Sequence, residues 1–247
     1  MRVLVTFAVD AEFAPWRKKR KFRLRQEGQL NVNCVDLGDL RLEVVLTGVG
    51  ARSAAWSVTT LDRELDLCIS SGLAGALRAE YAPGDILVPN YVTDTSGTNV
   101  ECDPELRSMA IEMGGNAVRC FYSTDSVIIS AVDKRALGRN ADAVEMETTG
   151  VLARAARGGA RVIAIRGISD SVDEDLPLDF NRVMTSAGEV SIGLVLGQVV
   201  RHPLKVPSLV RFGQQSHRAA ERLCTFLDRY LEGLSRSLPS VRKEAAR

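Results

Sequence analysis

Histidine is nearly missing from this chain of 247 residues: the two present, His202 and His217, both fall late in the sequence. That argues against a histidine-centred triad and against a histidine-rich zinc site. Paired cysteines are missing too. Cys34, Cys68, Cys102, Cys120 and Cys224 are scattered without a CxxC spacing, an odd set that fits reduced, mostly buried thiols in a cytoplasmic protein. No apolar run approaches the roughly 20 residues needed to cross a bilayer; the longest is SIGLVLGQVV, residues 191–200. The opening MRVLVTFAVDAEFA meets Asp10 too early for a secretory core and reads as a buried first strand. Net charge is +1, so no global field calls for nucleic acid or a membrane. Repeats and linkers rich in Pro, Gly or Ser are absent as well. What is present is a composition 45% hydrophobic, enough for a substantial core in one large domain or two small ones.

Strand-like and helix-like runs alternate along that composition. VLVTFAV (3–9) reads as a strand. QLNVNCVDLGDLRLEVVLTG (29–48) reads as two strands joined in a hairpin at Leu37-Gly38-Asp39-Leu40. A helix over 51–65 precedes the strand DLCIS (66–70), and GDILVP (84–89) is a further strand. DPELRSMAIEMGG (103–115) is a helix with Asp103 as N-cap, Pro104 in its first position and Gly114 as its stop. AVRCFYS (117–123) and RVIAIRGIS (161–169) are strands, with the helix VLARAARGG between them. Such alternation predicts an α/β fold with a largely parallel sheet covered on both faces.

In such sheets ligands sit beyond the carboxyl ends of the strands. The first strand runs into Asp10 and Glu12. RLEVVLT runs into Gly48, Val49 and Gly50, then Arg52. DLCIS runs into SGLAGAL (71–77), RVIAIRGIS into Asp170, and a short apolar step into Glu145 and Glu147, one on either side of Met146. Each has a plainer explanation. Acids in a first helical turn offset the helix dipole. Glycines at 48–50 and 72–75 can be tight turns, and neither is a Walker loop or a GxGxxG fingerprint. Asp170 can be an N-cap, and Asp173, Glu174 and Asp175 solvated loop charges. Three acids at three strand ends of one sheet nevertheless exceed what capping requires, and they point to a substrate site.

The segments AVDAEFAPW, TGVGARSAA, SGLAGAL, VEMETTG and RGISDSVDE follow one another in the order and approximate spacing of the purine nucleoside phosphorylase and nucleosidase superfamily. Over residues 1–195 the chain most resembles the methylthioadenosine/S-adenosylhomocysteine nucleosidases. That resemblance implies a phosphorylase-like three-layer sandwich around a central mixed, largely parallel sheet. It implies that Glu12 orients and deprotonates an attacking water, that Glu147 accepts the ribose 2′-hydroxyl, and that Met146 packs against the sugar. Asp170 would protonate or hydrogen-bond purine N7, and Glu145 would support the turn. Gly72, Leu73, Ser126, Val127 and Arg52 complete the substrate-binding set. The residue types suit the reaction. Breaking an N-glycosidic bond develops an oxocarbenium-like sugar and an anionic base, so carboxylates near the sugar and an acid at the base both lower the barrier. No metal or other cofactor is called for. The expected partner is a small-molecule nucleoside, and the expected assembly a homo-oligomer, in the first place a homodimer.

Water is favoured over phosphate as nucleophile. Ser70 stands where related bacterial phosphorylases carry an arginine, although Arg52 beside the glycine turn keeps phosphorolysis open. A nucleoside-binding module that has lost its chemistry is the non-enzymatic alternative. Leu73 stands where these nucleosidases usually carry serine, and Val127 near where an aromatic residue stacks on the purine. Residues 201–247 form a helical extension beyond a catalytic domain of residues 1–200. Apolar residues from Leu209 to Leu234 make a stripe flanked by Arg201, Lys205, Arg211, Arg218 and Arg222. This tail resembles the hopanoid-associated phosphorylase-like nucleosidases, which remove adenine from adenosylhopane. Two readings of it stand: packing on its own domain or a dimer partner, or peripheral membrane contact through 201–236 together with the basic segment 17–25. As a plainer reading, 16–25 is a solvated helix end and loop.

Overall fold

The computed structural model describes residues 1–61, 63–183 and 203–244. The apolar stretch 191–200, Arg201 and the domain boundary at residue 200 lie outside the described residues.

Ten strands make one mixed sheet. β1 (Arg2–Phe7) is buried from Val3 onward, as a near-continuous apolar run covered on both faces should be. It pairs in parallel with β4 (Leu40–Leu46) and with β5 (Leu67–Ala76). β4 turns back on β3 (Leu30–Leu37) through the expected hairpin, where Gly38 takes a φ of 60°, and β3 pairs with β2 (Arg23–Glu27). On its other side β5 runs parallel to β10 (Arg161–Asp170). β10 meets β6 (Ile86–Asp94) antiparallel, β6 pairs in parallel with β8 (Asn116–Ser123), β8 in parallel with β9 (Ala143–Glu145), and β9 returns antiparallel to the end of β5. These five strands close on one another, and β1, β4, β3 and β2 extend from β5 as an open wing. β7 (Asn99–Glu101) adds to β6.

The helices are α1 (Asp10–Lys19), α2 (Ala51–Thr60), α3 (Pro104–Glu112), α4 (Ala131–Leu137), α5 (Thr148–Arg157), the short α6 (Phe180–Val183) and α7 (Val206–Glu244). α3 starts as its sequence announces. Asp103 accepts hydrogen bonds from the Glu105 and Leu106 amides, and Pro104 fills a position whose amide has no helical partner.

Two local expectations are corrected. The glycines at 72–75 do not turn the chain, because β5 continues through them, paired with β10 as far as Gly75. Gly72, at φ 135°, is there for close approach: a Cβ on it would stand 2.5 Å from Arg166 Nη1 and 2.9 Å from Glu12 Oε1. The segment 23–25 is not a loop but part of edge strand β2.

The stripe on α7 is largely used within the molecule. Leu223, Leu227, Tyr230, Leu231 and Leu234 are buried in the same core as the sheet. The helix lies along β10 and α1, and a Cβ on Gly167 of β10 would stand 3.2 Å from the Ala219 carbonyl oxygen and 3.4 Å from Leu223 Cβ. Polar ties reinforce it. Trp16 Nε1 and the Arg20 guanidinium both donate to Asp228, Lys19 Nζ donates to Thr225 Oγ1 at 2.5 Å, and Cys224 Sγ donates to the Glu12 carbonyl. Several cations of the 17–25 cluster are thus paired within the chain, Arg17 with Asp10 and Arg23 with Asp36 among them. Leu204 and Val210, at the start of the tail, remain exposed.

Candidate active site

Glu12 occupies the third position of α1, immediately beyond the carboxyl end of β1. Its Oε2 accepts the Ala8 amide at 2.9 Å and its Oε1 accepts the Leu73 amide at 2.8 Å, so both oxygens are fixed from neighbouring strand ends. Burial pushes this carboxyl above its ordinary value, against the lowering pull of the Arg166 guanidinium and the three backbone amides.

β9 delivers the next two acids, and the structure separates their roles. Glu145 is saturated. Its Oε2 accepts the Glu147 amide at 2.9 Å and the Thr148 amide at 2.8 Å, Thr148 Oγ1 donates to it as well, and Ser123 Oγ donates to Oε1. Glu145 therefore ties down the start of α5. Glu147 is the N-cap residue of α5 but makes no capping bond with its side chain. Its Oε1 accepts the Gly50 amide at 3.0 Å, across the approach of α2 to α5 that Gly150 permits: a Cβ there would collide with the Ala51 carbonyl. Burial pushes the Glu147 carboxyl up to about 7; Arg166 opposes the shift and the Glu145 and Glu12 carboxylates add to it.

Arg166 in β10 links these acids. Its Nη2 donates to Glu145 Oε2 at 2.6 Å, to Thr148 Oγ1 at 2.9 Å and, more weakly, to Glu147 Oε2 at 3.4 Å. Burial works against its charge, but the Glu145, Glu147 and Glu12 carboxylates outweigh burial and raise its proton affinity. Ser70 lies in the same network, its Oγ 3.1 Å from Thr148 Oγ1. At the end of β10, Asp170 Oδ1 accepts from Ser169 Oγ at 2.5 Å, and Oδ2 accepts from Lys134 Nζ at 2.5 Å.

These elements surround one cavity of about 220 Å³. Glu12, Leu73, Glu145, Met146, Glu147, Val127 and Asp170, all singled out from sequence, border it together. Gly72 lies behind Glu12 rather than on the cavity wall. Ser126 and Arg52 are exposed and stand apart from the described lining. Sequence reasoning missed Arg166, Ser169 and Lys134, and it missed an apolar end of the cavity made by Leu176, Phe180 and Phe212. Phe180 of α6 and Phe212 of α7 meet with ring centroids 5.5 Å apart. Arg166 and Ser169 sit inside the quoted RGISD segment, where a charged and a hydroxyl residue in an otherwise apolar strand were the available signal. Among the described residues no cluster of three His, Cys, Asp or Glu side chains is placed to hold a metal ion, and no helix is long and apolar enough to cross a membrane.

The phosphorylase superfamily model matches residues 5–200. The chain belongs to the phosphorylase superfamily. Solved structures of this superfamily fold share its architecture. The 5′-methylthioadenosine/S-adenosyl homocysteine nucleosidase of Campylobacter jejuni superposes with a TM-score of 0.73 at 16% identity, over 94% of this chain and 99% of that one. The corresponding nucleosidase of Neisseria meningitidis, in complex with methylthio-immucillin-A, gives 0.71 at 18% identity, over 94% and 99%. A futalosine hydrolase mutant of Helicobacter pylori gives 0.71 at 16% identity, over 94% and 99%. Phe212 lies beyond the matched superfamily segment, so one wall of the cavity is built by the part of the chain outside it.

Proposed function

We propose that this superfamily member hydrolyses the N-glycosidic bond of a purine nucleoside carrying an apolar 5′ substituent. The observation that carries the reading is the convergence of Glu12, Glu147 and Asp170, from three separate strand ends, on one cavity. Glu12 is the base for the attacking water, Glu147 holds the ribose 2′-hydroxyl and opposes the positive charge growing on the sugar, and Asp170 protonates the leaving purine at N7. Arg166 orders the two glutamates from behind.

Three features favour water over phosphate. The wall beside Glu12 and Glu147 presents carboxylates, which repel an anion. The one cation bordering the cavity among the described residues, Lys134, is engaged by Asp170 and two carbonyls. The place where related phosphorylases carry an arginine holds Ser70, buried in the glutamate network. The neighbours in fold named as nucleosidases and as a futalosine hydrolase are consistent with this choice.

Met146, Leu176, Phe180 and Phe212 give the cavity its apolar character. A hopane-linked adenosine, which the resemblance of the tail implies, belongs to the substrate class such a wall accepts. The test is chromatographic: purine nucleosides with polar and apolar 5′ groups are incubated with the protein, with and without phosphate, and free base and sugar are measured. Free sugar formed at a rate independent of phosphate is expected. A rate that saturates with phosphate and yields a sugar 1-phosphate would establish phosphorolysis, and no base release from any nucleoside would leave a binding module.

A further inference from the structure

Lys134 is a wholly buried ammonium in the short helix α4. An ammonium has three protons to donate and no lone pair. Three acceptors meet it: Asp170 Oδ2 at 2.5 Å, the Glu174 carbonyl at 2.8 Å and the Ser171 carbonyl at 3.1 Å. Each proton has a partner, so the group has none left for a ligand, although it borders the same cavity as Asp170. The charges flanking it engage other partners. Arg135 of α4 pairs with Asp173, Arg211 of α7 pairs with Glu174, Asp133 accepts from Ser130, and Asp175 accepts the Ala131 amide. Among the described residues, Lys134 is therefore the cation in direct contact with Asp170.

The geometry points to Lys134 as the positioning residue and counter-ion of the leaving-group acid, an assignment that rests on the nucleosidase reading above. As the bond from the sugar to purine N9 breaks, its electron pair passes to the purine. Asp170, having taken a proton from solvent on substrate binding, gives that proton to N7 and becomes a carboxylate. The ammonium already seated at Oδ2 stabilises that product form without having to reorganise. The bonds to Ser171 and Glu174 hold the segment after β10 in place, which fixes the direction in which Asp170 points. A charge-assisted bond of this kind is shorter and stronger than a neutral one.

The experiment is a double-mutant cycle of Lys134→Met and Asp170→Asn, with kcat and KM measured on a purine nucleoside the wild type turns over, and again on 4-nitrophenyl riboside, whose leaving group needs no proton. Lys134→Met is expected to lower kcat on the purine nucleoside about 10²-fold, the scale of a general acid, with KM changed less than about threefold. On the nitrophenyl riboside the loss should be below about tenfold. Because Lys134 acts through Asp170, adding Lys134→Met to Asp170→Asn should cost less than about threefold more. Additive losses, or equal losses on both leaving groups, overturn the assignment. If Lys134→Met alone does not fold, the double variant, which leaves no buried carboxylate unpaired, is compared with Asp170→Asn. A double variant that also fails to fold makes Lys134 a folding residue and overturns the assignment as well. A wild type silent on every purine nucleoside instead removes the nucleosidase reading, and this assignment falls with it.

Discussion

Arg166 and Glu145 form an ion pair with almost no solvent exposure on either side, Nη2 to Oε2 at 2.6 Å. Glu147 touches the same guanidinium only at 3.4 Å. The unequal sharing explains how one short segment, VEMET, carries two acids with different tasks. Glu145 spends its lone pairs on Arg166, Thr148, Ser123 and the start of α5, which leaves Glu147 the less engaged of the two acids at the cavity. Arg166→Met would strand Glu145 and Glu147 together in the interior. Removing one partner of a buried pair costs about 3–5 kcal/mol. A loss of that size is expected in denaturant unfolding, and a variant as stable as the wild type would show that Arg166 does not hold the site together.

Glu147 gives a pH signature. Its carboxyl is raised from 4.5 to about 7, chiefly by burial. Between those values the folded state holds a proton that the unfolded chain has released. Glu147 therefore contributes stability that is fully present below pH 4.5 and is lost as pH rises through about 7. Glu147→Gln removes this dependence while keeping an acceptor for the Gly50 amide. Above pH 7 the variant should melt higher than the wild type by several degrees, each kcal/mol being worth about 2–4 °C in a chain of this size. The difference should shrink toward pH 5. A gap that stays constant with pH, measured by thermal melts of the two proteins, would remove Glu147 as its source.

The sequence made the frame of this site legible because chemistry and strand ends coincide in it. Glu12, Glu147 and Asp170 each follow an apolar run, and position relative to a strand end is a local property. What escaped was long-range. Lys134 looks like an ordinary helix-surface lysine in AVDKRAL until α4 docks against the end of β10, 36 positions away in sequence. The helix itself carried a readable start signal, since Ser130 accepts from the Asp133 amide as the Ser-x-x-Asp spacing allows. The glycines of SGLAGAL were misread as a turn because a glycine needed for close approach and one needed for reversal look alike in sequence. The α7 stripe was legible as amphipathic, but periodicity does not say what an apolar face packs against.

The two carboxyls at opposite ends of the reaction should fail differently. Asp170→Asn keeps the shape and an acceptor for Lys134 but has no acid proton. A loss in kcat on the order of 10²-fold or more is expected on a purine nucleoside, together with a lower melting temperature, because the buried Lys134 ammonium loses its carboxylate partner. Near-normal turnover would take Asp170 out of the mechanism.

Glu12→Gln keeps one of the Leu73 and Ala8 contacts through its amide oxygen and sets its NH2 against the other amide, and it should still bind nucleoside. If Glu12 activates water as proposed, the variant is expected to lose at least about 10²-fold in kcat whatever the leaving group, including nitrophenyl riboside. That contrasts with Asp170→Asn, whose defect should be relieved by a leaving group that needs no proton. If Glu12→Gln is rescued in the same way, its role is at the base and not at the water.

Two positions on α7 separate the helix's two jobs. Leu223 is fully buried against the sheet and is distant from any lining role, whereas Phe212 is partly exposed and meets Phe180 at the cavity. Leu223→Ala should destabilise the fold by about 2–5 kcal/mol through the lost contacts and the space left behind. It should leave the preference among nucleosides unchanged while the protein is folded. Phe212→Ala should do the reverse. Folding stability changes little, and kcat on unsubstituted adenosine holds, but KM for a nucleoside with an apolar 5′ group rises about tenfold, which is uniform binding lost and not catalysis. Deleting residues 203–247 would remove both jobs at once and expose the core face of β10, so the truncated chain is expected to aggregate rather than survive as a smaller enzyme. The comparison that decides is the ratio of kcat/KM for apolar-substituted and unsubstituted nucleosides in the two point variants. If Phe212→Ala leaves that ratio unchanged, the apolar end of the cavity does not select the 5′ group, and α7 serves the fold alone.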